Sequence, residues 1–171
     1  MNININRNLF TAAAVSFVMV LGACGDSGEK KKSEDGKAPV PVVVEKEEIE
    51  VTVLAVGNTM MEMMYDPKEI RVPANSKIKI QLINKGTDGA MLHNIVFIPY
   101  GIAKEVAEAG IARAETNYVD PNDNRVIAAS KVANPGETVK FEFDSPPPGT
   151  YQYICTYPGH WQQMQGKLIV E

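Results

Sequence analysis

An all-β sandwich carrying one helical flap is the fold this sequence predicts for residues 48–171, and three features predict it. Short segments alternate apolar and polar residues with period two, as strands that bury one face do. Clusters of turn residues, NKGTDG, VDPNDN, ANPGE and SPPPG, separate those segments. Only one segment has helical spacing, and it interrupts the strands instead of alternating with them.

The first strand is IEVTVLAV (49–56), which sets Ile49, Val51 and Val53 against Glu50 and Thr52. KIKIQLIN (77–84) repeats the pattern through Ile78, Ile80 and Leu82. HNIVFI (93–98), RVIAAS (125–130), ETVKFEF (137–143), TYQYIC (150–155) and GKLIVE (166–171) complete the set. Between the third and fourth, GIAKEVAEAGIARAE (101–115) is rich in helix formers and places Ile102, Val106 and Ala109 on one helical face. It is expected to lie as a flap on the side of the sandwich. The chain shows no internal repeat, Gly-rich phosphate loop or nucleophile elbow.

The N-terminal segment is of another kind. Arg7, the apolar run LFTAAAVSFVMV and the small residues before Cys24 read as a secretory signal over residues 1–23. The run falls short of the about 20 apolar residues a spanning helix needs. LGAC (21–24) has the form of a lipobox, in which the cysteine is diacylated and becomes the mature N-terminus. Cys24 is therefore the expected lipidation site, and two or more acyl chains meet the requirement for stable anchoring. Residues 24–47 mix charge with Gly, Ser and Pro, bury too little to order themselves, and read as a flexible tether. About 20 such residues reach roughly 25 Å. The expected product is exported and lipid-anchored to a bacterial membrane, facing the periplasm or the cell exterior.

Removing residues 1–23 takes away one cation, Arg7, and leaves 16 cationic against 21 anionic side chains, a net charge of −5. With no basic stripe, nucleic acid is not an expected partner. Of the two cysteines in the chain, only Cys155 remains past the lipidation site, in a compartment where thiols oxidise. A leftover exported thiol needs a reason.

The loop CTYPGHWQQM (155–164) offers one. Cys155, His160 and Met164 are a thiolate, an imidazole and a thioether on one short connection, and Tyr157, Pro158 and Gly159 turn it back on itself. The chain has two histidines, so the second imidazole must be His93. Two His, one Cys and a weak axial Met form the blue-copper ligand set. Structural zinc favours several cysteines at close spacing, and the soft sulfurs here favour copper. On residue types alone a second reading stays open: a solvent-facing His93, a turn His160 and a buried free Cys155.

CTYPGHWQQMQG resembles the ligand loop of the azurins, blue-copper proteins of the Greek-key cupredoxin fold, in the spacing of its Cys, His, Met and Gly. MLHNIV resembles their first-histidine segment, and PNDNRVIAASKVANPGETVKFEF the strands that follow. The likeness spans about residues 48 to 171. It implies one type 1 copper with His93, Cys155 and His160 as equatorial ligands and Met164 as the distant axial one. It further implies that Asn94 ties the ligand segments together and that the backbone N–H groups of Asn94 and Tyr157 point at the Cys155 sulfur. Leu92 stands where azurins have a glycine whose carbonyl sits near the copper, so its carbonyl is a candidate weak axial contact. Ile95 replaces a buried tryptophan, and the azurin disulfide has no counterpart.

The implied function is one-electron transport, with His160 reaching an apolar docking patch drawn from Met63, Met91, Tyr157, Pro158 and Trp161. The expected partners are a redox donor and acceptor, such as a c-type cytochrome or a copper enzyme, docking transiently on a monomer. MMEMM (60–64) suggests an alternative, a copper(I) carrier or buffer holding metal through Met60, Met61, Met63 and Met64. An enzyme ranks last, because both histidines are already committed and none remains for a second copper centre.

Overall fold

The computed structural model describes residues 46–171. The expected signal, Cys24 and the tether up to residue 45 lie outside the described residues. Among the described residues no helix is long and apolar enough to cross a membrane. Among the described residues the strands are β1 (Glu47–Val56), β2 (Met64–Asp66), β3 (Glu69–Val72), β4 (Ser76–Asn84), β5 (Val96–Pro99), β6 (Ala128–Ala129), β7 (Thr138–Asp144), β8 (Gly149–Ile154) and β9 (Gln165–Val170), with one α-helix, α1 (Ala103–Gly110), and a short 3-10 helix (Ala114–Thr116). One sheet runs β2-β1-β4-β7 and the other β3-β9-β8-β5-β6.

Strict alternation explains the first sheet. Along β4 every second residue is buried, which sends Ile78, Ile80 and Leu82 inward and Lys77, Lys79 and Gln81 outward. β1 pairs with β4 in parallel, Val51 opposite Ile80 and Val53 opposite Leu82. A parallel pair cannot be closed by a hairpin. The chain makes its crossover through two short strands the sequence pattern did not reveal: β2 returns along β1, and β3 enters the other sheet beside β9.

The two sheets close on one core. Val53, Ile78, Ile80 and Leu82 meet Ile70, Val72, Phe97, Tyr153, Leu168 and Val170. Phe97 is its hub, with ring centroids 4.8 Å from Phe143, 5.6 Å from Tyr153 and 6.2 Å from Phe141. Because side chains alternate along β5 and β8, Val96, Ile98 and Ile154 face the other way. They form a second cluster with Ala103, Val106 and Ala107 of α1 and with Val119. The flap therefore seals the outer face of the second sheet.

Three expectations change in extent. The helix stops at Gly110 instead of running to residue 115, because a Cβ at Gly110 would lie 2.0 Å from the Tyr118 carbonyl oxygen as the chain folds back. The strand expected over 125–130 shrinks to β6. The strand expected from His93 begins only at Val96, since His93 pairs with Ala133 through an isolated bridge.

Candidate metal centre

β8 ends at Ile154, and the next residue, Cys155, opens a loop that returns the chain to β9. Four backbone bonds close it: Tyr157 O accepts from His160 N (3.0 Å), His160 O from Gln163 N (3.1 Å) and Met164 N (2.9 Å), and Met164 O from Cys155 N (3.0 Å). Gly159 makes the turn possible, with φ of +84°. His93 arrives from the far side of the sandwich sequence, pinned by its bridge to Ala133, with bonds of 3.2 and 2.7 Å.

These elements bring three donors together. Nδ1 of His93 and Nδ1 of His160 are 3.2 Å apart. The Cys155 Sγ lies 3.9 Å from the first and 3.7 Å from the second. All three side chains are buried, and so is Met164 from the same loop. An ion held in a trigonal plane by two nitrogens at about 2.0 Å and a sulfur at about 2.3 Å would give edges of about 3.5, 3.7 and 3.7 Å. The triangle fits that requirement to within a few tenths of an ångström.

Charge at the site is arranged for a cation. Burial, and then His160, push His93 down to about 4. Burial also lowers His160. Both rings are neutral near pH 7 and keep a lone pair for a metal. Burial pushes the Cys155 thiol up to about 11, against hydrogen bonds from the Asn94 and Tyr157 backbones and the Tyr65 side chain that pull it down. Among the described residues, His93 Nε2 is the buried side-chain nitrogen or oxygen left without a hydrogen-bond partner. A neutral ring whose Nδ1 lone pair binds a metal carries its proton on Nε2, which accounts for the tautomer this orphan needs.

The surroundings hold the ligands still. Asn94, fully buried, donates from Nδ2 to Asn117 O and to Thr156 Oγ1, both at 2.8 Å, and accepts at Oδ1 from Thr156 N at 2.9 Å. One side chain thus joins the His93 segment, the flap side and the Cys155 loop. Asn84, at the end of β4, donates to Met91 O (2.7 Å) and Ala133 O (2.9 Å), gripping both sides of the His93 bridge. Tyr157 packs on His160 with centroids 4.8 Å apart, and Tyr118 meets Tyr157 edge-on at the same distance. Sequence reading found Asn94 and Tyr157 but missed Asn84, Thr156, Asn117, Tyr118 and Tyr65. Those residues carry no local pattern, since only the tertiary fold gives them partners.

The apolar patch needs correction. Met63 is 2 % exposed and Met91 6 % exposed, so neither lines a surface. The physical reason is period two: Met63 and Tyr65 point inward ahead of and along β2, while Met64 points out. The four thioethers of MMEMM therefore do not share one surface, since Met63 belongs to the core and Met60, Met61 and Met64 are exposed. Pro158, Tyr157 and Trp161 are half-buried beside the loop, as is Leu92 beside His93. Ile95 fills the core with no exposed surface.

The family of copper-binding proteins that comprises plastocyanin and azurin matches residues 51–171. Auracyanin-A of Chloroflexus aurantiacus is 34% identical over 170 residues, which cover 96% of each chain. The solved structure of auracyanin A, described as a "blue" copper protein, superposes with a TM-score of 0.65 over 72% of this chain and 99% of that one. Azurin of Achromobacter denitrificans is 36% identical over 62% of this chain and 76% of its own length. Outer membrane protein H.8 of Neisseria meningitidis is 34% identical over 63% of this chain and 62% of its own. A buried His, Cys, His and Met set on a two-sheet frame, with relatives of this kind, places the chain in the plastocyanin/azurin family of copper-binding proteins, the cupredoxins, which carry electrons and are not enzymes.

Proposed function

We propose that the chain is a membrane-tethered one-electron carrier whose copper is held by His93, Cys155 and His160, with Met164 as the weak axial ligand. The observation that carries this reading is the buried triangle of two Nδ1 atoms and one Sγ beside Met164. Bound copper supplies a Cu(II)/Cu(I) couple, one electron per cycle. The protein's contribution is rigidity: the closed loop and the Asn94 and Asn84 clasps keep the donors in one arrangement in both oxidation states. The sharpest test is the visible spectrum of the purified protein titrated with cupric ion, expected to give one intense blue band at one equivalent. A colourless product would end the proposal.

His160 is the exit for the electron. It keeps 2 % of its surface exposed, whereas His93 keeps none. Around it the docking surface is formed by Tyr157, Pro158, Trp161 and Met60. The Met60 methyl lies 3.4 Å from where a Gly159 Cβ would sit, next to His160. Adaptable thioether side chains suit brief encounters over small interfaces. Replacing Met60 with lysine is expected to slow electron exchange with a cytochrome or copper-enzyme partner by about tenfold, the equivalent of about 1.4 kcal/mol of lost docking energy. Stopped-flow mixing measures this, and the potential and blue band should not move.

Changing Met164 to leucine should keep the blue colour, because the equatorial donors survive, and should raise the reduction potential. Cupric ion needs electron donation more than cuprous ion does, and leucine removes a donor while adding apolar surface. Voltammetry decides it, and loss of copper from this variant would contradict a secondary role for Met164.

Anchoring through Cys24 places the carrier on a membrane outside the cytoplasm. Supporting this are the lipobox LGAC and the outer-membrane name of the H.8 relative. Metabolic labelling with a fatty acid, lost in Cys24→Ala, tests it.

A further inference from the structure

Among the described residues three that are not glycine have a positive φ: Asn75 at +56°, and Asn117 and Tyr118, both at +60°. Asparagine tolerates this left-handed conformation, whereas a tyrosine side chain crowds its own backbone there. Tyr118 is locked into it from both sides. Its N–H donates to Arg113 O at 2.8 Å, and its carbonyl oxygen presses on Gly110, where a Cβ would lie 2.0 Å away. Just before it, Asn117 accepts from Asn94 Nδ2 at its carbonyl oxygen (2.8 Å) and from Val132 N at Oδ1 (3.0 Å). Just after it, Val119 is buried in the flap cluster. An asparagine or a glycine at position 118 would make the same turn with less strain, so the turn does not account for the tyrosine.

The contact of its ring does. Tyr118 meets Tyr157 at 69°, with 4.8 Å between ring centroids, and Tyr157 lies on His160 at the same distance, tilted by 47°. Aromatic pairs favour such edge-to-face geometry. Three rings thus stand in series from the flap to the ligand loop, and the first is mounted on backbone that Asn94 holds. His93 is fixed through its backbone bridge to Ala133, but His160 stands on the loop and leans on Tyr157. We propose that Tyr118 is a positioning residue for electron exchange: through Tyr157 it braces the His160 ring, and the strain in its backbone is retained for that contact. The inference rests on His160 being a copper ligand and the exit for the electron. A ring that keeps its place in both oxidation states leaves less protein to rearrange at each transfer. Without the Tyr118 ring, Tyr157 loses its support and His160 gains room to turn.

Tyr118→Asn separates the brace from the turn, since asparagine keeps the left-handed backbone and removes the ring. The variant should fold and melt close to the wild type, because relieved strain offsets the lost ring contact. In the metal-free full chain, nuclear spin relaxation of the His160 ring carbons should show added motion, with the His93 ring unchanged. In the copper-loaded full chain, self-exchange, in which one electron leaves a reduced copy and enters an oxidised one, should slow by about tenfold. Tyr118→Phe keeps the ring contact and should match the wild type in both readouts. A ring that served packing alone would lower the melting temperature and leave His160 and the exchange rate as they are. That outcome overturns the proposal, and so does a change in only one of the two readouts. If Tyr118→Asn does not fold, Tyr118→Gly decides by the same readouts; if neither folds, the tyrosine serves the fold and the proposal is overturned. A colourless wild type would instead overturn His160 as a ligand, a distinguishable failure, because the ring motion is read without metal.

Discussion

Replacing Cys155 with serine abolishes the intense visible absorption of the copper-loaded protein while the sandwich stays folded. The colour of such a centre comes from moving charge from a soft, easily oxidised thiolate to the metal, and a serine oxygen gives up an electron far less readily. The pocket also resists ionisation, since burial already pushes the thiol up to about 11 and a hydroxyl starts higher still. Two imidazoles and a thioether remain. Affinity should fall by more than the about 10–100-fold typical of losing a partner that merely orients a ligand. The fold should survive, because the backbone donors of Asn94 and Tyr157 that face the sulfur can donate to a serine oxygen instead. Chelator competition and circular dichroism separate the two effects. A proton count gives an independent check. Near pH 7 the wild-type thiol is protonated in the metal-free protein, and His93, pushed down to about 4, is not. Copper binding should then release one proton from Cys155, and the serine variant should release none. A variant that stays blue would remove Cys155 from the coordination sphere.

What could be read from the sequence, and what could not, divides along a physical line. β4 was legible because one face is buried along its whole length, so its alternation is unbroken. β2 and β3 were not, since strands of 3 and 4 residues are too short to establish a period. The ligand loop was legible because three donors fall within ten residues, and His93 followed by elimination among two histidines. Met63 and Met91 were misplaced for the opposite reason. A methionine is as suited to a core as to a surface, and only the inward phase of β2 and the grip of Asn84 on Met91 O bury them. Buried polar residues such as Asn84 and Tyr65 were invisible as functional residues, because their role lies in partners tens of positions away.

The largest stability effect away from the metal itself should come from Asn94→Ala. Asn94 makes three side-chain hydrogen bonds inside the protein, two donated and one accepted, and it has no exposed surface. Each such bond contributes about 1 kcal/mol net, and stranding a buried partner costs about 1–3 kcal/mol. Alanine would strand the Thr156 N–H in particular, since no water reaches a residue this buried. The expected loss is about 3 kcal/mol, or roughly 10 °C in melting temperature for a domain of this size. Asn58→Ala is a fitting control, because it also breaks bonds, those from Thr87, but on an exposed surface, where the change should stay within about 0.5 kcal/mol. The clasp is functional as well as stabilising. With the Cys155 loop freed from the His93 segment, the donors can settle differently around each oxidation state, and every transfer then requires movement of protein atoms. Electron self-exchange, followed by nuclear magnetic resonance line broadening in mixtures of the two oxidation states, should slow while the blue band persists. If Asn94→Ala melts within about 2 °C of the wild type and exchanges electrons at the same rate, the rigidity of the centre resides elsewhere, in the closed ligand loop and the Asn84 grip alone.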